Sequence, residues 1–97
     1  MIIHCPLNQK TASMLNVFAA AGAEEFYLGY RNAGISKEDC FNRRFGGLTN
    51  FDSVESALAV CENAGRIGAK TFVAINELFY PESWHDALID DVKKLSA

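Results

Sequence analysis

Two prolines, three cysteines and one tryptophan are spread over 97 residues, and no apolar run approaches membrane-spanning length. Each scarcity excludes something. The cysteines, Cys5, Cys40 and Cys61, are odd in number and contain no C-x-x-C pair, so they read neither as a disulfide framework nor as a zinc site. Reduced thiols, and with them a cytoplasmic protein, are the expected state. A transmembrane helix needs about 18 or more consecutive apolar residues, so no membrane association is expected. The N-terminus lacks a basic region followed by an apolar core, so no secretory signal is expected. A net charge of −3 is not the broad basic surface that non-specific nucleic-acid binding requires, although Arg31, Arg43 and Arg44 fall in one region. Ser-His-Asp arrangements, H-E-x-x-H and phosphate loops are missing as well.

What is present is an ordinary globular composition, 49% apolar and 22% charged, at the length of one domain. Met-Ile-Ile opens a short apolar run that predicts a buried strand over 2–5, ended by Pro6, which cannot donate to a sheet ladder. Met14, Val17, Phe18 and Ala21 recur at spacings of three and four, which predicts a helix over 11–21 stopped by Gly22. A strand over 26–30 follows, rich in aromatics. Asp52 and Glu55 resemble a capping box opening a helix over 53–65, with Val54, Leu58, Cys61 and Ala64 on its apolar face and Gly65 or Gly68 ending it. A strand over 71–76 carries Val73 and Ile75. Pro81 then introduces a helix over 82–96 with the stripe Trp84, Leu88, Val92, Leu95. Asp86 lies early in it and Lys93 and Lys94 late, matching the helix dipole.

The order β-α-β-α-β-α predicts an α/β fold of three consecutive βα units around a parallel sheet. An internal likeness supports this: Gly22-Ala23-Glu24-Glu25-Phe26 and Gly68-Ala69-Lys70-Thr71-Phe72 share one helix-to-strand design. Three units are either a small open sheet or the first part of a closed barrel, which needs about 250 residues. In the second case the inward sheet face is uncovered, and self-association or a partner subunit covering the open sheet is expected.

The segment 31–51 fits neither helix nor strand, and 41–51 reads FNRRFGGLTNF. Connections in compact domains usually run about 4–6 residues, and longer ones are functional or disordered. Disordered segments are poor in aromatics, whereas here Phe41, Phe45 and Phe51 supply anchors for a loop that presents Arg44 and Asn50. Arg44 is the strongest substrate-binding candidate, since a guanidinium grips a carboxylate with two parallel hydrogen bonds. Its structural alternative is pairing with an acidic neighbour to hold the loop. Asn50 reads as a substrate contact or a loop cap, and Asn76 as a substrate contact at a strand end or a turn residue. Glu77 is a general base only if its pKa is raised and is otherwise a solvated carboxylate. His4 is a metal or proton-transfer candidate if the first strand ends there, and otherwise a hydrogen-bonded core histidine. His85 reads as surface. The cysteines have no flanking base to make a reactive thiolate, and Cys61 reads as core.

The run Ala21-Gly22-Ala23 through Tyr27-Leu28-Gly29, then Phe41-Asn42-x-Arg44, then Asn50-Phe51, then Val73-Ala74-Ile75-Asn76, resembles the collagenase-like peptidases of peptidase family U-thirty-two. That family shows AGAD-x-VYLG, F-x-x-R, NF and V-x-x-N in this order. FNRRF with GGLTNF, and the later AIN followed by Pro81, are most similar to the branch involved in oxygen-independent ubiquinone hydroxylation. The likeness covers nearly all of this chain but only the N-terminal part of a family member. It implies the first part of a TIM (β/α)8 barrel, with His4-Cys5, Gly29-Tyr30 and Asn76-Glu77 together at the C-terminal face. It further implies a peptidase, or a hydroxylase acting on RNA or ubiquinone precursors with prephenate as oxygen source, and small carboxylate or peptide ligands. Several members carry an iron–sulfur cluster on four cysteines in the later part of the domain, which this chain's three do not match. A-P-A-G follows the family's first strand where Cys5-Pro6-Leu7-Asn8 stands here. The resemblance therefore implies an enzyme fragment, inert alone and with no cofactor of its own. A small non-catalytic α/β binding or assembly module is the alternative.

Overall fold

The computed structural model describes residues 2–32, 50–75 and 80–96. Their order is β1 (His4–Pro6), a 3₁₀ turn (Ala12–Met14), α1 (Leu15–Ala20), β2 (Glu25–Leu28), α2 (Val54–Arg66), β3 (Lys70–Val73), a second 3₁₀ turn (Glu82–Trp84) and α3 (His85–Ser96). The three strands form an open parallel sheet in the order β1-β2-β3.

Both helix-to-strand turns are built by the repeated Gly-Ala. Gly22 (φ 114°) and Gly68 (φ 78°) occupy the left-handed region that glycine enters without a Cβ penalty. The Gly22 amide donates to the Ala19 carbonyl at 3.1 Å and the Ala23 amide to Phe18 at 3.0 Å. At the second turn Gly68 donates to Gly65 at 3.1 Å and Ala69 to Ala64 at 2.9 Å. These pairs are the Schellman closure, which satisfies the last carbonyls of each helix.

The two units then diverge by one residue. In register, Glu25 lies beside Lys70 and Tyr27 beside Phe72, so β2 starts three residues after its glycine and β3 two. Side chains alternate between faces along a strand, so a shift of one inverts them all. Phe26 is therefore fully buried while Phe72 is 49% exposed.

One sheet face carries the core. Leu7, Phe26 and Leu28 pack there with Leu15 of α1, Val54, Ala57, Val60 and Ala64 of α2, and the half-buried Trp84, Leu88 and Leu95 from the last helical segment. The opposite face presents His4, Glu25, Lys70, Tyr27 and Phe72, and no described element covers it.

Several expectations are corrected. Ile2 and Ile3 are exposed and precede β1, so the opening run is not a buried strand. Pro6 belongs to β1 rather than ending it. β1 lies at the sheet edge, and because the Leu7 amide donates to Tyr27 at 2.9 Å, the alternating Pro6 nitrogen faces the open side, where no donor is needed. The first helix buries Leu15 and half-buries Phe18 and Ala19, leaving Met14 and Val17 exposed. Its apolar content allows either stripe, and packing selects the other one. α2 is capped by Ser53, not Asp52: its Oγ accepts the Ser56 amide at 3.1 Å. In α3, Val92 is exposed and Asp91 is the buried residue.

Candidate functional site

The chain leaves the sheet at Tyr30-Arg31-Asn32 and re-enters it at Asn50-Phe51, so both stems of the segment 33–49 meet at one point. Tyr30 and Phe51 form a parallel bridge, with the Phe51 amide donating to Gly29 and the Arg31 amide to Phe51, each at 2.8 Å. Carbonyls alternate sides along a strand, and the Tyr27 carbonyl already serves the amide of Leu7, just past β1. Gly29 thus points to the same side, and Phe51 takes the place in the ladder that β1 vacates. Phe51 and Asn50 are both buried.

Beneath this junction α3 supplies a buried carboxylate. Asp91 is 3% exposed, and its Oδ2 accepts from the Tyr30 hydroxyl at 2.9 Å and from Asn32 Nδ2 at 2.7 Å. A buried charge is tolerated only where such donors replace water. Burial, and the Asp91 carboxylate beside it, push the Tyr30 phenol far above its ordinary range, so Tyr30 acts as a fixed donor and not as a base.

A cavity of about 210 Å³ opens next to this cluster, lined by Arg31, Asn32, Asp52, Ser53, Val54, Glu55, Asp91 and Lys94. It combines the N-terminus of α2, which carries partial positive charge, with two cationic and three acidic side chains. Lys94 and Glu55 pair at 3.6 Å across solvent, an interaction worth about 0–1 kcal/mol. Arg31 Nε is buried and makes no hydrogen bond among the described residues. Such a cleft can orient a small polar ligand. Among the described residues it contains no nucleophile paired with a base.

Of the residues singled out from sequence, Asn50 and Phe51 sit at this junction. Phe41, Arg44 and Asn76 lie outside the described residues, as do Arg43, Phe45, Glu77 and Cys40. His4 is corrected: it starts β1 instead of ending it, level with Glu25 and Lys70, at the opposite end of the sheet from the Tyr30–Phe51 bridge. Nor is it a core histidine. Its side chain is 56% exposed, bonds Glu25 through Nε2 at 2.7 Å and stacks on Phe72 at 6.2 Å. His85 is exposed, with Nε2 at 3.2 Å from the Tyr80 carbonyl. Cys61 is half-buried and lines an apolar crevice between α2, β3 and α3, while Cys5 packs against the core from β1. Among the described residues no group of three or more His, Cys, Asp or Glu is placed to hold a metal ion. No described helix is long and apolar enough to cross a membrane.

Sequence reading placed Tyr30 only as a strand end and passed over Asn32 and Asp91. A signal for Asp91 does exist: Trp84, Leu88, residue 91 and Leu95 keep helical spacing, so an aspartate interrupts an otherwise apolar stripe.

Compared with protein-family models, curated proteins and solved structures, the chain has no match.

Proposed function

We propose that the chain is the N-terminal, ligand-gripping part of an enzyme of the collagenase-like peptidase family, either a peptidase or a member of the branch that hydroxylates RNA or ubiquinone precursors, and is inert alone. The observation that carries this reading is the one-sided sheet. Strands in unbroken order, with α1, α2 and α3 all feeding the core on one face, match an arc of a (β/α)8 barrel. A doubly wound sheet reverses its strand order and covers both faces with helices. Barrel chemistry sits at the C-terminal ends of the strands, which is where the Tyr30–Phe51 junction holds the stems of the segment carrying Arg44. Arg44 grips the carboxylate of a small acid or a peptide terminus. Asn50, being buried, positions the segment, and Asn76 orients the ligand from the end of the third unit.

The test is a titration of the 97-residue protein with prephenate and with a short peptide, followed by amide NMR. Shifts in the segment 30–53 and around Asn76, lost in Arg44→Ala with folding intact, are expected. Shifts that persist unchanged in Arg44→Ala, or none at millimolar ligand, overturn ligand gripping. Proteolysis or hydroxylation by the pure chain overturns inertness.

The second reading, a non-catalytic assembly module, is favoured by the uncovered sheet face. It predicts association without any small-molecule response.

A further inference from the structure

Two polar atoms beside the Tyr30–Phe51 junction have no mate in the fold, and their side chains line the same cavity. Arg31 Nε is buried and donates to nothing among the described residues. Asp91 is 3% exposed, and both of its hydrogen bonds, from Tyr30 and from Asn32, end on Oδ2. None among the described residues ends on Oδ1, although each oxygen of a carboxylate can accept. Arg31 and Asp91 both line the space of about 210 Å³, yet they do not pair with each other. The ion pairs among the described residues are His4–Glu25 and Lys94–Glu55. Leaving a buried donor of a charged group unbonded is costly, so a donor and an acceptor kept apart in one cavity mark a place for a ligand that meets both.

The lining decides which ligand. Lys94 is engaged by Glu55 at 3.6 Å, which leaves Arg31 with the carboxylates of Asp52 and Asp91. A plain anion gains Arg31 and the positive end of α2 but also meets both carboxylates. A plain cation gains the carboxylates but meets Arg31. A molecule that carries both charges satisfies both sides. Size narrows it further: about 210 Å³ lies below the roughly 300–1,000 Å³ of pockets for drug-sized ligands, too small for a peptide or a nucleotide. Val54 adds an apolar stretch of wall.

We infer that this cavity binds a small free amino acid, its carboxylate on Arg31 and its ammonium on Asp91 Oδ1. Asn32 and Tyr30, by holding Oδ2 at 2.7 and 2.9 Å, are positioning residues that fix the carboxylate for this contact. The inference does not rest on the family reading, since it uses Arg31 and Asp91 and neither Arg44 nor Asn76.

A titration of the 97-residue protein with glycine, alanine, serine and valine tests it, with propionate and ethylamine as single-charge controls. The readouts are the NMR resonances of Arg31 Nε–H and of the Asn32 side-chain amide. Saturable shifts at both, from at least one of the four at millimolar concentration, are expected. Each control should bind at least about tenfold more weakly, as should the amino acid in Arg31→Gln and in Asp91→Asn, since each loses one charge-assisted contact. Arg44→Ala should bind as the parent does. Circular dichroism checks folding. If Asp91→Asn unfolds, Arg31→Gln decides alone, because Arg31 Nε makes no bond on which the fold depends. No saturable shift from any of the four overturns the inference. So do propionate or ethylamine binding as tightly as the amino acid, unchanged binding in Arg31→Gln, and a response lost in Arg44→Ala.

Discussion

Asp91 and Tyr30 couple the last helix to the central strand through one hydrogen bond of 2.9 Å between buried groups. Removing the hydroxyl leaves a buried carboxylate with one donor fewer, so Tyr30→Phe is expected to cost about 1–3 kcal/mol in urea unfolding. The same pair sets an alkaline limit. The ordinary tyrosine value is 10.0, and the folded value lies well above it. The folded chain thus holds the phenolic proton more tightly than the unfolded one. This stabilisation is complete below pH 10 and is lost as pH rises from there toward the folded value. Parent stability should fall above about pH 10, more steeply than that of Tyr30→Phe. Tyrosinate absorbance should show one of the three tyrosines ionising only on unfolding. None of this could be read from the sequence alone, because a tyrosine and an aspartate 61 positions apart meet only through tertiary packing.

At the scale of the elements, two glycines three positions apart behave oppositely. Gly65 lies within α2, and an added Cβ there meets nothing within 4 Å. Gly65→Ala should stabilise by about 0.5–1 kcal/mol, because alanine loses less backbone freedom on folding. Gly68 also has open space but sits at φ 78°, so Gly68→Ala should destabilise by roughly 1–2 kcal/mol from the left-handed backbone alone. Thermal or urea unfolding of both variants checks the opposite signs. Element order and type were legible, because helix-period apolar spacing, Gly-Ala closures and β-branched runs act over a few residues. Phase was not. Phe26 and Phe72 stand at equal distance from their glycines, yet the shorter second turn turns one inward and the other outward.

Across the whole molecule the ladder has a centre and two edges. β2 is bonded on both sides, with Phe51 extending it past β1. In hydrogen exchange, the Phe51 and Arg31 amides should be protected alongside Leu7 and Ala74, whose bonds end on Tyr27 and Leu28. Phe51 exchanging at the rate of a free loop would remove the junction on which the candidate site is built. Phe51 was readable as an anchor from its aromatic character, and it is buried. That the stems at 30–32 and 50–51 close over a buried Asp91 was not readable.

By itself the sequence determined three βα units and their turns. Only the tertiary structure decided that His4 begins a strand and faces outward, that Asp91 is the buried residue of α3, and that no described element covers one sheet face. The division has a physical cause. Propensity, capping and turn chemistry act between neighbours in the chain, whereas strand phase, helix rotation and burial of charge depend on the surfaces that meet.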